Sequence, residues 1–456
     1  MTEVLNKEEQ EKELLKLLQS QNMDVFREKF LDWHLYEQGQ FYLSLDKKER
    51  HLMYAYLSPK EMADMLDVIE EDHEGLTDYI TEMSPNYVVA ILENMYTDNA
   101  VDILSQLEEE TARTYLDRMK PETSVNMKRL LHYEDKTAGS IMATEYVSIV
   151  ANQTVRSALT LLKKKAQEAE IIYYVYVVSL TNQLVGVISL RDLIVSDDDM
   201  MIEEMMGERV ISVGVNEDQE EVAKMIRDYD FLAIPVVDDN NHLLGIITVD
   251  DIIDVIDDEA ASDYSGLAGV DVEATTESSF QAALKRLPWL VTLLFLGMST
   301  ASLISHYEVL ISEASILAVF ISLITGTAGN AGTQSLAVAV RKLAVSDDKE
   351  LNFFSLIMSE ILTGIITGAV TGVVIFLVVG FWKQNFPLGM VIGIAMLCAI
   401  TIANLAGSLI PILMEKIGFD PAVASGPFIT TLSDLTSVLI YFNIAGLFMP
   451  LIVGSV

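Results

Sequence analysis

The sequence predicts a multidomain membrane protein with an all-α N-terminal superhelical domain, an α/β repeat pair, a connecting helix and a five-helix transmembrane domain. Three observations predict this fold class. The first 131 residues carry apolar side chains at helical spacing, the next region contains an internal repeat, and the last region contains long apolar stretches. The predicted domains are residues 1–131, 132–263, 264–286 and 287–456.

The N-terminal domain is predicted to be helical because Leu, Met and Ile recur at three- and four-residue spacing. Ser58-Pro59, Ser84-Pro85 and Lys120-Pro121 predict helix starts, since proline is tolerated in the first turn. Glycine occurs here only at Gly39 and Gly75, which argues against an α/β enzyme domain. A charged helical bundle without specific chemistry is the alternative interpretation.

The next region contains two copies of one unit, at about 137–200 and 201–258. Val185–Ile194 match Leu244–Ile253 position by position, at an offset of 59 residues. Each copy is predicted to form a strand, a helix, two apolar strands joined by a polar turn, and a second helix. The first copy carries about five extra residues near Gln167–Ile172.

The formal net charge of −37 is concentrated in the first 286 residues, which hold 58 of the 67 acidic and 25 of the 30 basic residues. Such a surface attracts divalent cations and repels nucleic acid and anionic lipid, so nucleic-acid binding is not expected. Cys398 is the single cysteine, which excludes an intrachain disulfide and a cysteine-based zinc site. The first residues lack the apolar core of a secretory signal, so we expect the first half of the chain to remain in the cytosol.

A dense acidic run, VDDIIDVIDDEAASD, begins within the second copy and continues beyond it. On a helix, Asp251, Asp254 and Asp258 share one face, and like charges at this spacing destabilise the helix. A solvated acidic face is the usual explanation of such a run. Because no Lys or Arg interrupts it, we favour a divalent-cation sensor, since carboxylates suit hard cations such as Mg²⁺ and Ca²⁺. The pattern of an EF-hand loop is not present.

Five hydrophobic segments, each long enough to cross a bilayer, form the last region. They span 287–306, 314–339, 353–380, 388–414 and 421–453. With the N-terminus inside, the inner flanks would carry six basic residues and the outer loops only Lys383, which fits the positive-inside rule and places the C-terminus outside. The six are Lys285, Arg286, Arg341, Lys342, Lys349 and Lys416. An amphipathic connecting helix is expected to end at Lys285-Arg286, just before Pro288.

Asp434 is an ionisable residue in the middle of the fifth segment. If its helix begins near Pro421, Asp434 lies about 20 Å along it, well within a hydrocarbon core of about 30 Å. An isolated carboxylate there costs roughly 2.5–3.5 kcal/mol, and no Lys, Arg or His occurs from Ile417 to Val456. We predict that Asp434 faces a pore and binds a passing cation. A protonated carboxyl, or one bonded to a hydroxyl of a neighbouring helix, is the alternative.

Small residues in the second, third and fourth segments predict close packing between helices. In the third segment Gly364, Gly368 and Gly372 are spaced by four residues and share one face. Asn404 and Gly407 of the fourth segment are interpreted in the same way. The second segment contains GTAGNAGTQS, whose amide side chains can also offer oxygen ligands.

The order of these parts resembles the MgtE-type magnesium channels, over essentially the whole chain. The repeat is similar to a tandem pair of CBS domains, and the other parts match an acidic helical domain, a connecting helix and five transmembrane helices. The most specific local matches include Leu190–Val195, Ile247–Val255, Gly326–Ser335 and Asp420–Thr436.

This resemblance implies a homodimer in the plasma membrane, with Asp434 of each subunit selecting Mg²⁺ in a pore on the two-fold axis. It also implies that cytosolic Mg²⁺ binds acidic faces of the N-terminal, CBS and connecting-helix regions and closes the pore. The implied sensor residues are Asp98, Asp102, Asp218, Glu220, Asp230, Asp251, Asp254, Glu259, Asp263 and, at the gate, Asp420. The chain departs from some relatives at Ser262 and Gly426.

The CBS resemblance further implies a candidate site for an adenine nucleotide, ATP, at Tyr174, Arg191, Asp192 and Phe231. Helix capping is the alternative role of Asp192 and Asp251, and we favour it for Asp192. Two other functions stay open: a coupled or broader divalent-cation transporter for ions such as Co²⁺ and Mn²⁺, and a nucleotide-sensing membrane protein that does not conduct. An enzyme is not expected, because HExxH, P-loop and GxSxG motifs are not found.

Overall fold

The computed structural model describes residues 2–69, 75–167, 169–270, 279–345, 353–417 and 426–453. The chain folds into two compact units, Met1–Ile256 and Asp257–Val456. The first unit contains the predicted helical domain and the repeat pair, and the second contains the predicted membrane helices.

The N-terminal part of the first unit is helical, as predicted, and its described residues form ten helices. They are α1 (Thr2–Gln19), α2 (Met23–Leu31), α3 (Leu35–Ser44), α4 (Lys47–Tyr56), α5 (Pro59–Leu66), α6 (Leu76–Glu82), α7 (Pro85–Leu92), α8 (Thr97–Gln106), α9 (Glu109–Leu116) and α10 (Pro121–Leu130). Helices α5, α7 and α10 begin at the predicted prolines. At α5 the Ser58 hydroxyl accepts from the Glu61 N–H while the Glu61 carboxylate accepts from the Ser58 N–H, which forms a capping box.

Two three-stranded sheets with their helices form the rest of the first unit. The elements are β1 (Ser148–Val150), α11 (Val155–Lys165), β2 (Tyr174–Val178), β3 (Leu184–Ser189), α12 (Leu190–Val195), α13 (Ile202–Met205), β4 (Val213–Gly214), α14 (Gln219–Tyr229), β5 (Ala233–Val237), β6 (Leu243–Thr248) and α15 (Val249–Ala268). In each sheet the first strand pairs parallel with the second, and the second pairs antiparallel with the third. This confirms the predicted order of elements.

The two copies share an irregularity in the pairing of their antiparallel strands. The register shifts between Val177 and Val178 in the first sheet and between Val236 and Val237 in the second, at equivalent positions of the repeat. The copies differ in the connection before the middle strand, which covers residues 166–173 in the first copy and 230–232 in the second. The extra residues predicted for the first copy therefore lie between α11 and β2.

The N-terminal helices and the second copy share one hydrophobic core. Buried residues of α8, such as Val101 and Leu104, belong to the same cluster as Ile247 of β6 and Ile252 and Val255 of α15. This shared core places the start of α8 beside the start of α15. The first copy has a separate core around β1, β2 and α11.

Within its described residues, the second unit contains five helices that are long and apolar enough to cross a membrane, as predicted. Its elements after α15 are α16 (Ser279–His306), α17 (Glu308–Glu313), a 3₁₀ helix (Ser315–Phe320), α18 (Ile321–Val345), α19 (Phe353–Trp382), α20 (Phe386–Lys416), α21 (Gly426–Leu447) and α22 (Met449–Val453). The five candidate spans lie in α16, the 3₁₀ helix with α18, α19, α20 and α21.

The connecting helix differs from the prediction. We expected it to end at Arg286, but α16 continues from Ser279 through Pro288 to His306. A proline inside a helix removes one backbone hydrogen bond at a cost of about 3 kcal/mol. Membrane helices tolerate this cost, because other groups satisfy the freed carbonyl, and the long apolar helix therefore extends through the predicted stop. Residues 271–278 of the predicted connecting helix lie outside the described residues.

Close packing is confirmed at the predicted glycines of α19 and α20, whereas Gly326 of α18 has open space around it. A methyl group on Gly372 of α19 would lie 2.6 Å from the carbonyl oxygen of Gly393 of α20. A methyl group on Gly407 of α20 would overlap the carbonyl oxygen of Gly332 of α18. These glycines therefore allow α20 to pack directly on the backbones of α18 and α19.

Candidate cation sites

An acidic cavity of about 1060 Å³ lies in the first unit. Its walls come from the N-terminal helices, the first repeat and the start of α15. Among the described residues, nine carboxylates but only two lysines, Lys60 and Lys165, line this cavity. The carboxylates are Asp64, Asp67, Glu93, Asp98, Glu145, Glu170, Asp250, Asp251 and Asp254.

Three of these carboxylates form a cluster, which we call the acidic cluster: Asp98, Glu170 and Asp251. One oxygen from each lies within 4.8 Å of the others. Asp98 lies in the first turn of α8 and is 5% exposed, and Asp251 lies in the first turn of α15. Glu170 lies in the connection between α11 and β2, so the extra residues of the first copy supply the third carboxylate.

Burial and neighbouring charges make ionisation of Asp98 and Glu170 unfavourable. Burial raises the pKa of Asp98 well above its usual range, and the charges of Asp251 and Glu170 raise it further. Burial and the charge of Asp251 raise the pKa of Glu170 to about 8. The Glu170 Oε2 atom is buried and accepts no hydrogen bond from any described residue. The cluster therefore needs protons or a cation to offset its charge.

The donor set of the acidic cluster fits a hard divalent cation. Mg²⁺ and Ca²⁺ are bound by carboxylate oxygens and water, and Glu170 offers an oxygen without a described partner. Asp251 also caps α15, because its Oδ2 accepts from the Thr248 hydroxyl at 2.6 Å and from the Thr248 N–H at 3.2 Å. This capping fixes the carboxylate next to Asp98.

Glu145 and Asp67 support the cavity beside the acidic cluster. Glu145 accepts from the Thr97 N–H at 3.3 Å and from the Thr97 hydroxyl, so a carboxylate lies at the N-terminus of α8, where the helix dipole favours it. Asp67 accepts from the Asn99 side chain at 3.1 Å. Burial raises the pKa of Asp67 to about 7, which adds a third strongly perturbed carboxyl to the cavity.

The structure brings together Asp98 and Asp251 of the predicted sensor set, and Asp254 lines the same cavity. Asp102 lies one turn after Asp98 on α8, and Glu259 and Asp263 lie further along α15. Asp420 lies outside the described residues. Glu170 was not among the predicted sensor residues. Its place in the extra residues of the first copy is the sequence feature that could have identified it.

The other predicted sensor residues have local roles around α14. Asp218 is the N-cap of this helix, and its carboxylate accepts from the Glu220 N–H at 2.8 Å. Glu220 forms an ion pair with Lys224 at 3.3 Å. Asp230 ends the helix in the left-handed conformation, with φ of 54°. They lie on a different helix from the members of the acidic cluster.

The candidate nucleotide residues lie in both copies of the repeat. Tyr174 pairs with Ser189 across the β2–β3 ladder, and Ser189 is the N-cap of α12. The Ser189 hydroxyl accepts from the Asp192 N–H at 3.1 Å and lies 2.6 Å from the Asp192 carboxylate. Tyr174, Arg191 and Asp192 therefore lie near the same end of the first sheet, and Asp192 takes part in capping, whereas Phe231 stacks on Tyr229 in the second copy.

Asp434 lies on α21, eight residues after Gly426, or about 12 Å along the helix. The residue is half-buried, and no hydrogen bond or ion pair joins its carboxylate to another described residue. Ser433 and Ser437 beside it are buried hydroxyls that also lack a described partner. The predicted alternative, a carboxyl bonded to a neighbouring hydroxyl, is thus not observed in the described part of the chain.

Glu360 of α19 is a buried carboxylate between membrane helices, and it was not among the site residues predicted from the sequence. It is 7% exposed, and the Ser335 hydroxyl of α18 lies 2.8 Å from its Oε2. The same hydroxyl lies 2.8 Å from the carbonyl oxygen of Asn404 of α20. The sequence feature that could have identified Glu360 is the one that identified Asp434: an acidic residue inside a long apolar segment.

Family models match most of the chain. The MgtE model, described as a divalent cation transporter, matches residues 321–444. The model of the MgtE intracellular N domain matches residues 33–136, and the CBS domain model matches residues 138–198 and 202–258.

Relatives and solved structures agree with these matches. "Magnesium transporter MgtE" from Enterococcus faecalis is 69% identical over 449 residues, which cover 98% of this chain and 99% of that protein. A crystal structure of the soluble part of a magnesium transporter is 63% identical, with a TM-score of 0.55, and covers 56% of this chain and 100% of that one. The cytosolic domain of the Mg²⁺ channel MgtE in complex with ATP is 34% identical, with a TM-score of 0.50, and covers 53% and 98%.

Proposed function

Because this chain belongs to the MgtE family of divalent cation transporters, we propose that it is a Mg²⁺-selective channel that carries Mg²⁺ into the cell across the plasma membrane. The 69% identity to a magnesium transporter over nearly the whole length supports Mg²⁺ as the cargo. A membrane part with five apolar helices supports a transport role. In this proposal the first unit is cytosolic and the C-terminus lies outside.

The proposed pore residue is Asp434. Mg²⁺ dehydrates reluctantly and usually keeps several of its waters, so a carboxylate can bind the hydrated ion through hydrogen bonds from those waters. Asp434 is suited to this role because its carboxylate has no described partner within the membrane part. We propose a homodimer in which two copies of Asp434 face one pore.

The proposed sensor is the acidic cluster. A cation held by Asp98, Glu170 and Asp251 would offset three negative charges and hold α8, the α11–β2 connection and α15 together. Without it, the cluster must either bind protons or keep ionised carboxylates whose oxygens lie no more than 4.8 Å apart, and such a pair repels by at least about 3.5 kcal/mol at an effective dielectric constant near 20. We propose that this repulsion separates the elements when cytosolic Mg²⁺ is scarce and that the pore then opens. This cluster is the observation that carries the gating proposal.

The remaining sensor and nucleotide residues are proposed on the family resemblance. The further sensor ligands are Asp102, Asp218, Glu220, Asp230, Asp254, Glu259, Asp263 and Asp420. ATP binding to the repeat pair is supported by a solved cytosolic domain of this family in complex with ATP. The described placement of Tyr174, Arg191 and Asp192 near one sheet end makes the first copy the region to test.

The experiment that tests this function is Mg²⁺ uptake by proteoliposomes loaded with defined internal Mg²⁺. The proposal predicts that wild-type uptake falls as Mg²⁺ on the side of the first unit rises, and that Asp434→Ala abolishes uptake. Replacing the acidic cluster by Asn and Gln should preserve uptake and remove its inhibition by Mg²⁺. Uptake that requires a Na⁺ or proton gradient would support a coupled transporter instead, and unchanged uptake by Asp434→Ala would refute the pore residue.

A further inference from the structure

We propose that Glu360 is a positioning residue of the transport pore, which fixes helix α18 through Ser335 and thereby sets the place of Asp434 on α21. The inference rests on the proposed role of Asp434. It starts from a contact that joins three membrane helices. The Ser335 hydroxyl of α18 lies 2.8 Å from both the carboxylate of Glu360 on α19 and the carbonyl oxygen of Asn404 on α20.

The hydrogen count of this contact predicts which side chains at position 360 can maintain it. A serine hydroxyl has one hydrogen and two acceptor positions. The carboxylate and the carbonyl both need the hydrogen of Ser335, so the hydroxyl is shared between α19 and α20. An amide at position 360 could donate to the Ser335 oxygen and leave its hydrogen for Asn404. Glutamine should therefore preserve the contact, whereas alanine should remove it.

Helix α18 transmits this contact to the pore helix. Gly332 lies one turn before Ser335, and a methyl group there would lie 3.0 Å from the Ser433 hydroxyl, directly before Asp434. The Thr333 and Thr430 hydroxyls lie 3.3 Å apart. Because α18 and α21 pack this closely, a rotation or shift of α18 would displace the helix that carries Asp434.

A packing role alone would not require a carboxylate. Acidic side chains inside membrane helices are expensive and usually functional, and an apolar residue of similar size would fill the same space. The Lys342 ammonium lies 4.0 Å from Glu360 Oε1, but its side chain is 43% exposed. The buried carboxylate of Glu360 thus accepts a hydrogen bond from Ser335, where α18, α19 and α20 meet.

The test compares Glu360→Ala, Glu360→Gln and Ser335→Ala with the wild type in the uptake assay. Thr363→Ala is the matched control, because Thr363 is exposed and, among the described residues, its hydroxyl donates only to the Ser359 carbonyl of its own helix. The KM for Mg²⁺ is measured separately from the maximal rate per reconstituted protein. A loss of folded protein lowers the maximal rate, whereas a displaced Asp434 changes the KM.

We expect Glu360→Ala and Ser335→Ala to raise the KM about tenfold, which corresponds to ~1.4 kcal/mol. Glu360→Gln should remain near the wild type, and Thr363→Ala should be unchanged. A wild-type KM in Ser335→Ala would overturn the inference. Because this variant keeps the carboxylate, it provides the test even if Glu360→Ala does not fold. A loss in Glu360→Gln as large as in Glu360→Ala would overturn it as well and identify Glu360 as a cation ligand. Asp434→Ala, assayed in parallel, tests the proposed function separately.

Discussion

Replacing Glu170 by glutamine should stabilise the first unit in the absence of divalent cations. The substitution keeps the size of the side chain and removes one negative charge from the acidic cluster. Because burial and Asp251 raise the pKa of Glu170 to about 8, the folded protein must hold a proton there that the unfolded chain releases. Glutamine removes this cost, so we expect the variant to be more stable than the wild type.

The size of the effect follows from the shift in pKa. The ordinary value is 4.5, and each unit of difference corresponds to about 1.36 kcal/mol. Near pH 7 the cost is therefore at most about 3 kcal/mol, and near pH 5 it falls below about 1 kcal/mol. Because the folded state binds more protons than the unfolded state, the wild type should lose stability as the pH rises from about 4.5 to about 8. Glu170→Gln should lack this contribution.

Saturating Mg²⁺ should reduce or reverse the difference in stability between Glu170→Gln and the wild type. A ligand that binds only the folded state stabilises it in proportion to the logarithm of its concentration over its Kd. The wild type offers three carboxylates to the ion and the variant only two, so the wild type should gain more from Mg²⁺.

Hydrogen exchange of the full-length protein in detergent measures the effect locally. Peptides from α8 and the start of α15 report the free energy of opening around the acidic cluster, in EDTA and in Mg²⁺. Glu203→Gln is the matched control, because it removes an exposed carboxylate from α13. A wild type that is as stable as Glu170→Gln in EDTA near pH 7, or an equal gain of both proteins in Mg²⁺, would refute the reasoning.

Three further outcomes are expected. Millimolar Mg²⁺ should protect the first unit from protease, and equal cleavage in Mg²⁺ and in EDTA would contradict the sensor proposal. Gly407→Ala should lower the stability of the membrane part by about 1–3 kcal/mol, seen as a lower Tm in detergent, because the methyl group overlaps the Gly332 carbonyl. Gly326→Ala, with open space around the added atom, should keep the wild-type Tm, and equal Tm values for the two variants would contradict the packing. Asp251→Asn should weaken the inhibition of uptake by Mg²⁺, whereas Glu203→Gln, which removes an exposed carboxylate from α13, should leave it unchanged, and equal inhibition in the two variants would contradict the sensor proposal.

The sequence predicted the parts of the fold that depend on local pattern. Hydropathy over more than 20 residues identified the five apolar helices, and the repeat identified two sheets with the same strand order. The sequence did not predict that α16 continues through Pro288. Proline indicates a helix end from its immediate neighbours, whereas the stability of a long membrane helix depends on the whole segment.

The acidic cluster could be predicted only in part. Asp98 and Asp251 were named from the family resemblance, but Glu170 was not, because its approach depends on how the extra residues of the first copy fold. Conversely, Asp218 and Asp230 match sensor positions of the family, yet the described structure gives them roles at the two ends of α14. The sequence alone therefore does not show whether an acidic side chain caps a helix or binds a cation.

Glu360 illustrates the same limit within the membrane part. An acidic residue inside an apolar segment is visible in the sequence, but its partner Ser335 is 25 residues away and Asn404 lies on a third helix. Only the packing of α18, α19 and α20 brings the three together. The sequence thus indicates that such a residue needs a partner, whereas tertiary structure decides which one.

The central claim, that Mg²⁺ crosses a channel at Asp434, is tested most directly by electrical recording from the protein in a planar bilayer. With a Mg²⁺ gradient and no gradient of Na⁺ or protons, the proposal predicts a current that reverses at the equilibrium potential of Mg²⁺ and disappears in Asp434→Ala. A Mg²⁺ current of wild-type size in Asp434→Ala, or no current in the wild type without a Na⁺ or proton gradient, would contradict it.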